Sequence, residues 1–504
     1  MRYIKKEWMT TDRIMSFLIP VATVTILLLC VQNGISGNDF WWHVKVGERI
    51  VNDGVVPTND IFSWYGVENN IPWTAHEWLA DVIFYLVYSS MGEIGIFILS
   101  VGTGFALVWL MWRETKKYSS RNWLVTGLFF CLLAVTISLF FYGRPHIFGF
   151  LLIFLELKCL YDFYENRSDK KIWLVPVITV FWSNLHGGSS NMSYILCIVF
   201  AVVGSLELKL GKIESHRISN KDILKLSVLI VLTICAIFIN PVGVKTFLYP
   251  YESFGDNLSL SVISEWAPPD AKKIGDLILY FLPIGIMSFC LIIYEGKIRA
   301  IDAAVMALFV FLFFRSIRFI MLWYISAIFW AFRYIYPIKV KSLNSAWEKA
   351  ICYAVLGIML TSITISSALI LKNKDDIISK QMSVKEVEIV KNDAPLRIFN
   401  DYNLGETLIF NNIVVFFDAR ADLFSRVGVL ADGISLMMLN QMNENSENSY
   451  VDPDEIIANY GFDAILIMKD RPLYPYLINS PDNYRLIYED KAVAYFRVVE
   501  RTNE

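Results

Sequence analysis

Between Ile14 and Leu371 the chain runs as long apolar stretches separated by short polar ones. A bilayer span takes about 20 mostly apolar residues, and about eleven stretches are long enough. They predict helices over 14–34, 92–112, 123–141, 172–186, 191–208, 276–294 and 350–371, with four more between these. Two polar regions break the pattern. The first is an insert, Ile35–Ser90, which reads as two helices near 39–53 and 77–90 joined by a turn-rich segment through Pro57, Asn59-Asp60 and Pro72. The second of these helices is too short to span and carries Asp81, so it is expected to lie flat at the membrane surface. The other polar region is everything past Leu371. It alternates strand-like runs (396–400, 407–410, 414–418, 464–468, 485–489, 493–498) with helix-like ones near 428–441 and 453–460, the pattern of a small α/β sheet domain.

The expected fold class is therefore an α-helical polytopic membrane protein with a small C-terminal α/β domain. Residues 1–371 form the multi-spanning domain, with 35–90 as an external loop carrying interfacial helices, and residues 372–504 form an external soluble domain. Composition agrees, since 55% of residues are hydrophobic and 15% aromatic, which excludes an ordinary soluble globular class. The tail carries 14 Lys and Arg against 22 Asp and Glu, which leaves the membrane part net positive. All seven cysteines lie in or beside apolar runs, so neither a disulfide framework nor a thiolate metal site is implied. Lys5, Lys6 and Arg13 precede the first apolar run with no small-residue cleavage site after it, which reads as an uncleaved first span.

Basic loops stay in the cytoplasm, and that rule orients the chain. The clusters Arg113–Arg121, Arg167–Lys171, Lys209–Lys225, Lys297–Arg299 and Lys339–Lys349 fall inside, together with the basic N-terminus. The insert, Gly143-Arg144-Pro145-His146, Leu185-His186-Gly187-Gly188, Asn240-Pro241, Glu265-Trp266 and Arg315-Ser316-Ile317-Arg318 then fall outside, with the tail. Polar, Pro- and Gly-rich motifs thus collect on one face, as a site facing outward requires.

Asp39 leads the candidate residues. A carboxylate at the outer end of the first span can act as general base toward an acceptor hydroxyl, or it can simply cap the helix that follows. Trp41 and Trp42 read either as sugar-stacking faces or as an interfacial belt. His43 and Glu77 could orient Asp39 or bind a divalent cation, although no metal-ligand spacing supports a metal site, and Asp60 is a further carboxylate. Arg144, His146 and His186 stand at span ends. Arg315 and Arg318 are cations on the side where positive residues are disfavoured, and the planar fork of arginine suits phosphate. Glu265-Trp266 pairs a carboxylate with an indole fit to stack on a sugar face.

Taken together, Asp39-Phe40-Trp41-Trp42-His43-Val44-Lys45-Val46-Gly47, Pro57-Thr58-Asn59-Asp60-Ile61-Phe62-Ser63, His76-Glu77-Trp78-Leu79, Asn184-Leu185-His186-Gly187, Asn240-Pro241-Val242-Gly243, Glu265-Trp266, Phe399-Asn400-Asp401-Tyr402 and Phe417-Asp418-Ala419-Arg420-Ala421-Asp422 resemble the GT-C superfamily of membrane glycosyltransferases. More narrowly, they look like a bacterial branch related to protein mannosyltransferases. The resemblance implies transfer of a sugar from a polyprenyl-phosphate carrier to a glycan, lipid or protein acceptor on the outer face of a bacterial cell membrane; the reading taken from it is inverting and metal-independent, with no cofactor and with a divalent cation open but unsupported by the residues. No nucleic-acid partner is implied. Asp39 is the expected general base, with Arg144, Arg315 and Arg318 on the lipid-linked phosphate and His43, His146, His186, Trp41, Trp42, Glu265 and Trp266 toward substrate. Asn38 precedes Asp39 where the superfamily pairs acids, so the second carboxylate stays open between Asp60 and Glu77. Two other classes remain open: a non-catalytic scaffold of envelope polysaccharide synthesis, and a lipid-linked-sugar transporter, which would need charged or broken-helix sites near mid-membrane.

Overall fold

In the computed structural model the apolar runs fold as helices. The structure describes residues 39–115, 123–140, 143–334, 346–372, 382–440 and 450–499, with isolated positions at 18, 21, 22, 25, 28 and 117. The expected first span therefore lies mostly outside the described residues. The chain divides into two compact units, residues 1–35, 87–243 and 265–378 in one and residues 36–86, 244–264 and 379–504 in the other.

The first unit is helical. Its main helices after the insert are Trp123–Phe140, His146–Tyr164, Leu174–Leu185, Met192–Ser205, Asn220–Ile237, Leu282–Ile293, Ala300–Arg315, Ile320–Trp330 and Ala346–Lys372. The stretch Trp78–Thr115 is interrupted at Gly92, whose φ of 63° and ψ of −154° lie outside the helical region. Glycine reaches that conformation without a steric penalty, so two helices, 78–91 and 93–115, meet where the sequence separates 77–90 from 92–112. Each expected span after the first coincides with a helix. Their lengths alone do not establish eleven crossings. Among the described residues three stretches, Trp78–Thr115, Gly187–Ser205 and Ile274–Ile293, are long and apolar enough to cross a membrane. Leu174–Leu185 and Ile320–Trp330 have 12 and 11 residues, and a helix of that length rises only about 16–18 Å against about 30 Å of hydrocarbon.

Polar groups inside this unit tie helices together. Glu156, buried in His146–Tyr164, accepts hydrogen bonds from Ser193 at 2.7 Å and Thr179 at 3.1 Å, one from each of two neighbouring helices. Arg299 bonds Asp302 at 2.6 Å and Glu165 at 2.7 Å, and the Tyr334 hydroxyl donates to Asp302 at 2.6 Å. The basic segment Lys209–Lys225 is more than a loop. Leu208–Leu210 and Ile213–Ser215 pair antiparallel, and Ile298–Arg299 joins them in parallel.

The second unit is built on a four-stranded sheet. Ile398–Asn400 runs parallel to Ala464–Met468, which pairs antiparallel with Val493–Val498, itself antiparallel to Tyr484–Glu489. Helices Val429–Met438 and Pro453–Tyr460 stand where the sequence places them. Two expected strands are corrected. Residues 407–410 fall in a helix, Gly405–Phe410. Residues 414–418 pair only through Val415, which bridges to Ser63 of the insert rather than to the sheet.

That bridge belongs to a larger regrouping. The sequence reading places the insert with the membrane domain, but its side chains pack with the tail. Trp42, Val46, Ile50, Trp64 and Trp73 share one buried cluster with Phe399, Phe416, Phe417 and Phe462. The Trp64 indole donates to the Ile398 carbonyl at 3.0 Å and stacks on Phe416. Packing there removes the apolar surface of these aromatic side chains from water, and hydrophobic burial supplies most of the driving force.

Arg420 locks this arrangement. It is 3% exposed. Its Nη2 lies 2.8 Å from Asp60 and 2.6 Å from Asp418, and its guanidinium sits 4.7 Å from the Trp73 ring centre. Removing one partner of such a group strands buried carboxylates at a cost of about 3–5 kcal/mol. Arg420→Ala is thus expected to lower the unfolding free energy of the second unit by about that much, read as a loss of thermal midpoint of the purified chain in detergent. A neutral result would show that Asp60 and Asp418 are not held as described.

Candidate functional site

Asp39 immediately precedes the helix Phe40–Asp53. Its backbone is already near-helical, with φ −110° and ψ −18°, and its side chain makes no capping hydrogen bond. A residue working as an N-cap is typically extended and accepts from the second or third helical N–H, so capping does not account for this carboxylate. The helix is held by its buried residues, Phe40 through Val44 with Val46 and Ile50, and ends at Gly54 in a left-handed turn. Gly47 allows a close approach, because a Cβ there would fall on the backbone carbonyl of Asp81 in the neighbouring helix.

Trp41 and Trp42 are 3% and 8% exposed. Trp41 packs on Phe410 with ring centres 4.4 Å apart, and Trp42 packs on His43 at 3.7 Å and Trp73 at 5.9 Å. Both indoles are therefore core, which corrects the expectation that they offer faces to a sugar or to lipid. Asp60 is likewise committed. One oxygen faces Arg420, and the other accepts from the Ser63 hydroxyl and, at 3.3 Å, the Ser63 amide.

His43 is buried, with Nδ1 2.6 Å from Asp81 Oδ1 and Nε2 3.9 Å from Glu77 Oε2. The other oxygen of Glu77 lies 3.8 Å from His76 Nε2, so Glu77 stands between two imidazoles. His76 stacks on Tyr249 at 3.8 Å, and the Tyr249 hydroxyl bonds Asp422, whose carboxyl is raised by burial against the lowering pull of Arg426 and that hydrogen bond. Tyr402 brings the tail to Asp39. Burial, then the negative charge of Asp39, Asp418, Glu406 and Asp422, push its phenol well above the ordinary value. Asp81, Tyr249, Tyr402, Glu406 and Asp422 are not among the candidate site residues of the sequence reading, although Tyr402 and Asp422 stand inside its motifs. Only Asp81 leaves a local signal, since Glu77 and Asp81 are four apart and share a helix face.

A second constellation lies within the first unit. Arg144 Nη1 bonds both oxygens of Glu265, at 2.7 and 2.9 Å. The 265–267 turn is pinned to the turn that carries Arg318. Ser316 Oγ donates to the Glu265 carbonyl and the Ile317 amide donates to the Ala267 carbonyl, both at 3.0 Å. Arg318 sits over Trp266 at 5.9 Å. His146 bonds the Phe140 carbonyl, and its ring lies 6.3 Å from that of His186, which is held by Ser189 at 2.5 Å. Gly149 leaves the room, since a Cβ there would come within 3.1 Å of His186 Nδ1. Two guanidiniums face one carboxylate, a surplus of positive charge suited to an anion. Arg315 is not part of the group. It ends its helix exposed and makes no ion pair among the described residues.

Among the described residues no group of three or more His, Cys, Asp or Glu is set to hold a metal ion. No protein-family model matches the chain, and no curated protein matches it. Solved structures do. An archaeal oligosaccharyltransferase from Archaeoglobus fulgidus, AglB, in complex with an inhibitory peptide and a dolichol-phosphate, superposes with a TM-score of 0.54 at 11% identity over 92% of this chain and 70% of its own. The A. fulgidus oligosaccharyltransferase in its apo form gives 0.53 at 9% identity over the same shares. Tethered to an acceptor peptide containing the NVT sequon, it gives 0.53 at 11% identity, over 99% of this chain and 75% of that one. What the likeness shows is the fold, shared with these oligosaccharyltransferases.

Burial pushes the Glu265 carboxyl up, but Arg144 and Arg318, with His146, outweigh it and hold it below the usual 4.5. A depressed carboxyl stabilises the fold above its unfolded value and loses that contribution as pH falls through the folded one. The carboxylate infrared band removed by Glu265→Gln is therefore expected to persist as the pH is lowered through 4.5. Its disappearance above that pH would mean the guanidiniums do not face Glu265.

Proposed function

We propose that this chain is a membrane glycosyltransferase that moves a sugar from a polyprenyl-phosphate carrier to an acceptor on the outer face of a bacterial cell membrane, with inversion and without a metal. The observation that carries the reading is the position of Asp39, a carboxylate immediately before the buried helix Phe40–Asp53 that it does not cap, in a chain whose fold is similar to that of an archaeal oligosaccharyltransferase. In this reading Asp39 takes the proton of the acceptor hydroxyl or amide. The freed oxygen or nitrogen attacks the anomeric carbon from the face opposite the phosphate, and the carbon–oxygen bond to phosphate breaks with its electron pair leaving on the carrier.

Glu77 is the better second carboxylate, because both oxygens of Asp60 are engaged in structure while Glu77 stands between His43 and His76. Arg318 and Arg144, with their positive surplus over Glu265, would hold the departing phosphate, where charge-assisted bonds strengthen as negative charge develops. Exposed Arg315 could add a contact, and Trp266 offers an indole face beside Arg318. The polyprenyl carrier is favoured because a dolichol-phosphate is bound in one of the structures this chain resembles. The acceptor class stays as wide as glycan, lipid or protein.

General-base catalysis is worth about 10²–10⁴ in rate. In vesicles loaded with lipid-linked sugar, Asp39→Asn is expected to lower kcat by about 10²-fold or more with donor KM little changed. Arg318→Gln should raise donor KM. Full transfer by Asp39→Asn would remove the base assignment, and no transfer by the unaltered chain with any such donor would favour the scaffold.

A further inference from the structure

The segment after the helix Asn220–Ile237 reads as a loop in the sequence, yet it forms an eleven-residue helix, Val244–Phe254. At 100° per residue, Val244, Phe247, Leu248, Tyr251 and Phe254 fall on one arc of about 120°. Four of them are exposed, Val244 at 55%, Leu248 at 42%, Tyr251 at 52% and Phe254 at 43%. The face turned inward carries Thr246, Pro250 and Ser253, all buried. This is the reverse of a helix on a water-soluble protein, which buries its large apolar side chains and exposes small polar ones.

The inward and flanking positions are fixed to the rest of the second unit. Glu252 pairs with Arg426 at 2.9 Å, Asp256 accepts from Ser425 at 2.7 Å, and Tyr249 stacks on His76. The helix is thus held in place by its polar side and cannot roll its apolar side inward without breaking these bonds.

Chain connectivity names the occupant. Six residues, 238–243, separate this helix from the end of Asn220–Ile237, a reach of roughly 20–25 Å even when fully extended. The Asn240 side chain shortens it by accepting from the amides of Val242 at 2.9 Å and Gly243 at 2.7 Å. The preceding helix exposes Val228, Val231 and Leu232, followed by Phe238 and Ile239, so apolar exposure continues along the chain into the stripe. Aromatic residues on such a stripe suit the boundary between headgroups and acyl chains, with Lys245 at its edge.

We propose that Val244–Phe254 is an interfacial helix whose stripe of Val244, Phe247, Leu248, Tyr251 and Phe254 is covered by membrane lipid, anchoring the second unit to the bilayer surface. This does not depend on sugar transfer. Its test uses the full chain in phospholipid vesicles with clickable lipid, and a photo-crosslinking amino acid placed singly at positions 248, 251, 252 and 231. Position 231, on the exposed side of Asn220–Ile237, reports lipid contact, and position 252, on the polar flank, reports background. Lipid adducts at 248 and 251 are expected within about threefold of those at 231 and about tenfold above 252, as for side chains seated in the boundary layer. Yields at 248 and 251 no higher than at 252, with 231 labelled, would overturn the proposal. So would a protein adduct at 248, which would show that a second copy or another protein covers the face.

Discussion

Arg420 keeps its proton. Burial works against the charge, but Asp418 and Asp60 outweigh it and raise its pKa further, and guanidinium is protonated at any ordinary pH in any case. A fixed cation buried among Trp73, Phe62 and Phe424 must have carboxylates brought to it. One comes from the insert and one from the tail. The second unit therefore exists only when segments from opposite ends of the sequence are together, and Asp39, at the edge of the insert, is placed by that requirement. The tail is part of what holds the candidate base.

The same logic separates the carboxylates by role. Asp60 and Asp418 are saturated by a cation and by hydrogen bonds, and so belong to structure. Glu77 stands at 3.8–3.9 Å from two imidazoles, within ion-pair range of each but outside direct hydrogen-bond reach. In the first unit the balance runs the other way, with Arg144 and Arg318 sharing Glu265 and leaving positive charge over. In the proposed reading the first group would serve as base and the second would take the anion. They rest on different segments, each pinned by backbone hydrogen bonds or buried charge.

The helices after the first span were legible because apolar runs are long-range, redundant signals, and even the break at Gly92 could be placed from length alone. The strands Ala464–Met468 and Val493–Val498 were legible for the same reason. Residues 407–410 were misread because their β-branched and aromatic residues fit a strand as well as a buried helix, and packing against Phe40–Asp53 decided the matter. Trp41 and Trp42 were misread because an indole near a membrane surface and an indole in a core look alike until its neighbours are known. Arg318 and Glu265 were legible as unusual charges. That Arg144 would face Glu265, and that Asp39 would lie near Tyr402, depends on contacts between residues more than a hundred positions apart, which no local pattern encodes.

The bond between the Trp64 indole and the Ile398 carbonyl spans 334 positions. At about 5–20 residues per second of synthesis, the insert waits roughly 20–70 s before its partner strand has been made. During that interval Trp42, Trp64 and Trp73 have no core to enter. Order of synthesis thus opposes order of packing, and the second unit acquires its fold late, after the helices between its parts have been made.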